Sequence, residues 1–177
     1  MLTLLCAMQP EADPIIDALG LVSVQTPWSE NLPPNLWEGR VGTKKVTLVT
    51  NGFDPRTNAN LIGTTPATLA THTVLNHLNP SMILVAGAAG GCSKSTQIGT
   101  LDHELAFFLK HGITVKDMET ASIAWTASLY QVPTMAIRSI TDFYDHPTPE
   151  HQFLENFDLA LSNLASEIRK ILPALDS

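Results

Sequence analysis

Three apolar runs, LTLLCAM (2–8), SMILVAG (81–87) and TMAIRSI (134–140), each stop after a few residues at small or polar side chains. Runs this short, largely apolar and bounded by turn formers, read as strands, SMILVAG as one buried in a sheet, and the segments between them carry helical spacing. Strands alternating with helices predict an α/β fold. A helix is expected over PEADPIIDALG, closed by Gly20, and LWEGRVG and KKVTLVT read as neighbouring strands joined through Gly42 and Thr43. A loop rich in Gly, Asn and Pro spans Asn51 to Pro66, followed by the helical run ATLATHTVLNHL (67–78). GITVKDM (112–118) reads as a strand and ETASIAWTASLYQ (119–131) as a helix. The last helix is expected from Pro149 to Ile171, where Phe153, Phe157, Leu161, Leu164 and Ile168 recur at three or four residues along one face. That stripe predicts packing and not a cofactor box.

A chain of 177 residues suits one domain, residues 1–177, and can bury a core without disulfides or structural metal. Apolar residues at 44% against 15% charged argue for a folded chain with much of its length inside. The net charge of -7 leaves no basic stripe to neutralise phosphates, which argues against nucleic acid and anionic membranes and favours a small-molecule partner. Cys6 and Cys92 stand far apart with no C-x-x-C spacing, as expected of core thiols in a reducing compartment. The opening MLTLLCAM has no positive leader and is cut short by Gln9 and Pro10, so it reads as a strand and not a signal peptide. No run reaches transmembrane length, and the expected location is the cytoplasm.

GAAGG (87–91) follows a strand but is neither G-x-G-x-x-G nor a Walker loop. It is either a tight turn or a place where backbone approaches a ligand at a strand's carboxyl end. His103, His111, His146 and His151 form no H-E-x-x-H or Cys/His pattern, so no metal site is expected. Three acids fall beside strand ends: Glu11, Glu119 and Asp142. Singly, each reads as a helix-dipole or capping residue. Together with Arg138 in an otherwise apolar strand, they match what chemistry on a neutral, hydroxyl-rich substrate requires.

The segments AMQPEA, GTTPATLAT, AGAAGG, KDMETASIA and RSITDFYD, in that order, resemble the 5'-methylthioadenosine (S-adenosylhomocysteine) nucleosidases of the nucleoside phosphorylase superfamily, the plant branch most closely. The resemblance covers nearly the whole chain. It implies the phosphorylase-type three-layer α/β sandwich with a mixed, partly closed central sheet, a homodimer, no cofactor, and hydrolysis of an N-glycosidic bond to release adenine and 5-methylthioribose. Glu119 would accept hydrogen bonds from the ribose hydroxyls, with Met118 against the sugar face, and Asp117 would be structural. Asp142 would protonate purine N7, Glu11 would activate the attacking water, and Arg138 would hold that water and the neighbouring carboxylate. Met8 would line the alkylthio side, with Phe53 a further candidate there.

Two departures from the family pattern stand out. Ala88, at a substrate-contacting position, replaces the usual Ser or Thr, and the lost hydroxyl costs on the order of 1 kcal/mol. Between Ile98 and Glu104 several dozen family residues, including a purine-gripping strand, have no counterpart. A sheet stripped of interior strands would expose unpaired backbone edges, so packing predicts a break in the chain there in preference to a true deletion. A non-catalytic, nucleoside-binding relative therefore stays open as an alternative. So does a purine nucleoside phosphorylase, although Glu11 would repel phosphate and no Gly-rich, Arg-bearing loop follows the first strand.

Overall fold

The computed structural model describes residues 1–91, 107–108, 110–143 and 146–175. Its strands are β1 (Leu2–Cys6), β2 (Val22–Ser23), β3 (Asn35–Val41), β4 (Lys44–Thr50), β5 (Phe53–Asp54), β6 (Ala59–Asn60), β7 (Met82–Gly91), β8 (Val115–Lys116) and β9 (Thr134–Phe143). The helices are α1 (Gln9–Leu19), α2 (Thr64–His77), α3 (Thr120–Leu129) and α4 (Pro149–Ile171).

All five residues of β1 are buried, because the strand runs parallel between β4 and β7 with helices over both faces. β9 lies parallel to β7 along its other edge, from Ile83 opposite Thr134 to Gly91 opposite Phe143. Antiparallel pairs complete a mixed sheet: β3 turns back on β4 through Gly42, whose φ of 61° suits a glycine, β2 edges β3, and β8 meets Gly90 and Gly91 of β7. Among the described residues the sheet does not close into a barrel.

Side-chain alternation along β1 divides the core. Leu2, Leu4 and Cys6 pack with Ile15 of α1 and with Leu161, Leu164 and Ile168 of α4. Leu5 faces the other way and joins Ile83, Val85, Val74 of α2 and Ile123 and Ala127 of α3. The result is a three-layer sandwich. Thr3 also points inward, where its hydroxyl meets that of Thr47 at 2.7 Å, each meeting the other's hydrogen-bonding need.

Several expectations from the sequence need correction. Gly87–Gly91 is not a turn: β7 runs through it, held by β9 on one side. The strand expected over GITVKDM shrinks to Val115–Lys116, since only β7's last two residues are there to pair with it. The loop from Asn51 contains the short β5–β6 hairpin and ends early, with α2 starting at Thr64 and Pro66 inside its first turn, where a missing N–H costs nothing. β9 outruns Ile140 by three residues and takes in Asp142. The stretch from Ile98 to Glu104, like Cys92 and His103, lies outside the described residues. The break expected in that interval lies outside the described residues with it.

Leu161 is 1% exposed against β1, whereas its neighbour Ser162 faces solvent. Leu161→Ala should lower the unfolding free energy by about 2–5 kcal/mol and Ser162→Ala by less than about 0.5 kcal/mol. Urea titrations of the two variants check this contrast.

Candidate active site

The carboxyl ends of β1, β7 and β9 open into one cavity of about 620 Å³. Ligands of open α/β sheets bind in this crevice, outside the strand ends. Ala7, Met8 and Glu11 line it from the β1–α1 junction, Ala88 to Gly90 from β7, and Lys116 to Glu119 from the segment leading into α3. Thr141 and Asp142 enter from β9, Ile62 from the loop before α2, and Pro149, Glu150, Phe153 and Leu154 from the start of α4.

The sheet itself prepares the site. β1 pairs with β7 only as far as Val85, and β8 pairs only with Gly90 and Gly91. Between them the backbone of Ala88 is free of the ladder on that edge. Its N–H donates to Glu11 Oε1 at 2.8 Å, and its carbonyl lies 3.4 Å from Arg138 Nη1. A side chain at Gly87 would collide with both partners, since a Cβ there would stand 2.5 Å from Arg138 Nη1 and 2.8 Å from Glu11 Oε1. GAAGG is thus strand backbone carrying the close approach, and the methyl of Ala88 leaves both contacts intact.

Glu11 sits in the first turn of α1, 3% exposed, and its Oε2 accepts the Met8 N–H at 3.1 Å. Burial pushes its pKa above the ordinary carboxylate range, with a smaller push from the charge of Glu119; the Ala88 and Met8 amides and the Arg138 guanidinium oppose the rise. Glu119 immediately precedes α3, is 8% exposed, and accepts the Gly63 N–H at 2.8 Å, while Arg138 Nη2 stands 3.7 Å from its Oε2. Arg138, with its side chain 9% exposed, also lies 2.5 Å through Nε from Asp117 Oδ2, a charge contact without the alignment of a hydrogen bond. Burial works to raise the Asp117 pKa, but the Thr120 hydroxyl and amide, the Arg138 charge and the Glu119 amide together hold it below the usual range.

Asp142 reaches the cavity at a bulge. Ala89 lies opposite Ile140 but Gly90 opposite Asp142, which leaves Thr141 as the extra residue. α4 receives the backbone groups nearby: Asn156 Nδ2 donates to the Thr141 carbonyl at 3.0 Å and Gln152 Oε1 accepts the Phe143 N–H at 3.0 Å. The Thr141 hydroxyl donates to Asp142 Oδ1 at 2.7 Å.

Of the residues singled out in the sequence, Glu11, Glu119, Asp142, Met8, Met118 and Ala88 line the cavity, and Arg138 stands behind it joining the carboxylates. Phe53 is not brought there: it sits 44% exposed in the β5–β6 hairpin. Phe153 joins the cavity, although its spacing marked it as packing; it does both, its ring tilted against that of Phe157 with centroids 5.0 Å apart. The cavity-facing part of α4 and the contact from Gly63 carry no local signal, because each depends on a distant segment folding back. Among the described residues no three His, Cys, Asp or Glu side chains gather as metal ligands. His111 lies against the ring of Phe107, and His146 Nδ1 accepts the Thr148 N–H. No described helix is long and apolar enough to cross a membrane.

Comparison with known proteins places this geometry. The family model for the phosphorylase superfamily matches residues 2–101 and 102–175. A 5'-methylthioadenosine/S-adenosylhomocysteine nucleosidase of Arabidopsis thaliana is 26% identical over 224 residues, covering 94% of this chain and 88% of the relative. A 5'-methylthioadenosine nucleosidase of the same plant is 25% identical, covering 94% of this chain and 84% of the relative. The crystal structure of an MTA/SAH nucleosidase superposes with a TM-score of 0.88 at 24% identity, covering 97% of this chain and 94% of that one. The apo Arabidopsis thaliana 5'-methylthioadenosine nucleosidase gives 0.87 at 22% identity, covering 97% of this chain and 94% of that one. An alignment of 224 residues exceeds the 177 of this chain, so the relatives carry several dozen residues without counterpart here. The family match divides between 101 and 102, inside the interval where the sequence pattern is interrupted. With both stretches matched and the fold shared along nearly its full length, the chain belongs to the phosphorylase superfamily.

Proposed function

We propose that the protein is an N-ribosyl hydrolase that cleaves 5'-methylthioadenosine to adenine and 5-methylthioribose. The observation that carries this reading is Glu11, a buried carboxylate anchored by two backbone amides and facing the same cavity as Glu119 and Asp142. The named activities of the two plant relatives support it.

Cleaving ribose from a purine passes through an electron-poor, oxocarbenium-like sugar. In the proposed reaction Asp142 gives its proton to purine N7, so that the C1'–N9 electron pair leaves with a neutral adenine. The Thr141 hydroxyl occupies Asp142 Oδ1 and leaves Oδ2 for the purine. Glu11 takes a proton from water as the water oxygen bonds to C1', and solvent returns that proton to Asp142. Glu119 accepts the ribose hydroxyls and stabilises the sugar cation, with Met118 packed on the sugar face and Met8 beside the alkylthio group. Arg138 holds the water and the adjacent carboxylates. Ile62, Phe153 and Leu154 supply apolar walls. Phosphorolysis fits less well, because an ionised Glu11 at the position of the nucleophile would repel phosphate. The reading includes a cytoplasmic homodimer; exposed Trp125 and Leu129 on α3 and Leu69 on α2, two helices packed together, offer apolar surface for it. Light scattering should then report twice the chain mass, and a monomer at micromolar concentration would remove this part.

Adenine release from methylthioadenosine in phosphate-free buffer is the primary test; no release, or release only with phosphate, overturns the reading. Glu11→Gln and Asp142→Asn should each lower kcat by about 10² to 10⁴ with the fold retained, and Glu119→Gln should lower it through weaker stabilisation of the cation. Near wild-type turnover in any of them would cancel that residue's role.

The raised pKa of Glu11 sets the pH dependence. As a base it must be ionised, so activity should fall on acidification at a pH above the ordinary glutamate range. Its stability contribution has the opposite sense. Because the folded pKa exceeds the unfolded one, that contribution is fully present below the unfolded value and is lost as pH rises through the folded value. The stability of wild type relative to Glu11→Gln should therefore decline from acid to neutral pH in parallel urea melts.

A further inference from the structure

The guanidinium of Arg138 meets three segments at once. Nη1 approaches the carbonyl of Ala88 in β7 at 3.4 Å, Nη2 donates to Thr120 Oγ1 at 3.0 Å, and Nε lies 2.5 Å from Asp117 Oδ2. Thr120 Oγ1 in turn donates to Asp117 Oδ2 at 2.5 Å. Asp117 Oδ1 accepts the N–H groups of Glu119 and Thr120 at 2.8 and 2.7 Å. Arginine can only donate and a carboxylate can only accept, so the Thr120 hydroxyl has one possible orientation: it receives from Arg138 and gives to Asp117. Thr120 does not line the cavity, and whatever it contributes passes through its side-chain partners Arg138 and Asp117.

The contact between Nε and Asp117 is unaligned and by itself lets the planar guanidinium pivot. Nη1 meets the Ala88 carbonyl only at 3.4 Å and Nη2 stands 3.7 Å from Glu119, so the 3.0 Å bond from Nη2 to the Thr120 hydroxyl is the shorter tie that stops the pivot. The other charged or titratable groups around Arg138 are Glu11 from α1, Glu119 ahead of α3, and the Cys6 thiol at the end of β1. We propose that Thr120 is a positioning residue whose hydroxyl locks the Arg138–Asp117 pair and so fixes the guanidinium between the carboxylates of Glu11 and Glu119. This rests on the nucleosidase reading, in which the placement of Arg138 governs rate. Without the hydroxyl, the guanidinium turns toward Asp117 and withdraws from Glu11.

Thr120→Val tests this, because valine keeps the branched shape and leaves the backbone N–H for Asp117 while deleting the hydroxyl; Thr120→Ser restores it. With methylthioadenosine, Thr120→Val should lower kcat about tenfold with KM within about twofold of wild type, and the acid limb of the rate profile should move to higher pH. Thr120→Ser should return both. Carbon NMR titration of the Glu11 carboxyl in substrate-free protein is a second readout. It should move up in Thr120→Val and back in Thr120→Ser, since the opposing cation has withdrawn. Wild-type kcat in Thr120→Val with an unmoved Glu11 titration overturns the proposal. So does a loss of activity that Thr120→Ser fails to restore, or a loss of thermal stability alone, which would make Thr120 only a brace for α3. If wild type releases no adenine while the Glu11 titration still follows the hydroxyl, the nucleosidase reading falls and the positioning role stands.

Discussion

The site depends on one buried cation. Arg138 reaches Asp117 and Glu119 directly and acts on Glu11 through its charge. Desolvating three carboxylates side by side would be prohibitive without a compensating charge, and the low dielectric of the interior that makes their repulsion costly also makes the guanidinium effective. The same cation nevertheless leaves two of its neighbours in opposite states. Asp117 keeps some solvent and accepts hydrogen bonds from a hydroxyl and two amides, so its pKa is lowered. Glu11 loses nearly all solvent, and its two amide contacts do not make up the difference. Carboxylates driven apart in this way are suited to different jobs, and the proposed reaction gives the proton exchange to Glu11.

The arrangement is available because the sheet splays where the crevice forms. β1 leaves β7 after Val85, which frees the amide and carbonyl of Ala88 for Glu11 and Arg138. Gly87 lets those side chains come in to backbone distance, and the bulge at Thr141 brings in Asp142 from the neighbouring strand. At Gly90 and Gly91, β7 is paired on both edges, by β8 and by β9. Ala88, between the two pairings, keeps one edge open, and there Glu11 and Arg138 meet its amide and carbonyl in place of a neighbouring strand. The strands that hold the proposed catalytic groups are all present in a chain shorter than the alignments to its relatives.

Much of this was legible in the residues. Short apolar runs give β1 and the first half of β7 as buried strands, because leaving them in water costs more than any rearrangement could recover, whereas most of β9 is only half-buried. The bounds of α4 follow from its capping proline and its stripe of Phe157, Leu161, Leu164 and Ile168, all local properties of the chain. Acids next to strand ends, with an arginine inside a strand, marked residues that the fold gathers at one cavity, because such positions are costly unless something compensates them. Phe153 shows the limit of the same logic: its spacing describes a helix face truly, but spacing cannot say that the end of that face leaves the core and borders a cavity.

What the tertiary structure decided is which groups answer one another. GAAGG as a string allows a turn or a strand, and only the partner on its far edge makes it β7. Phe53 lost its place in the pocket because the β5–β6 hairpin leaves its ring exposed, and Thr120 gained a place because Arg138, eighteen residues on, returns to its hydroxyl. The sequence by itself determined the cores of β1 and β4, the helices α1 and α4 and the supply of carboxylates, since these follow from hydrophobic period and local capping. Their pairing, burial and charge state arose only with the fold, because desolvation and Coulomb energy depend on distances in space and the chain encodes those distances nowhere locally.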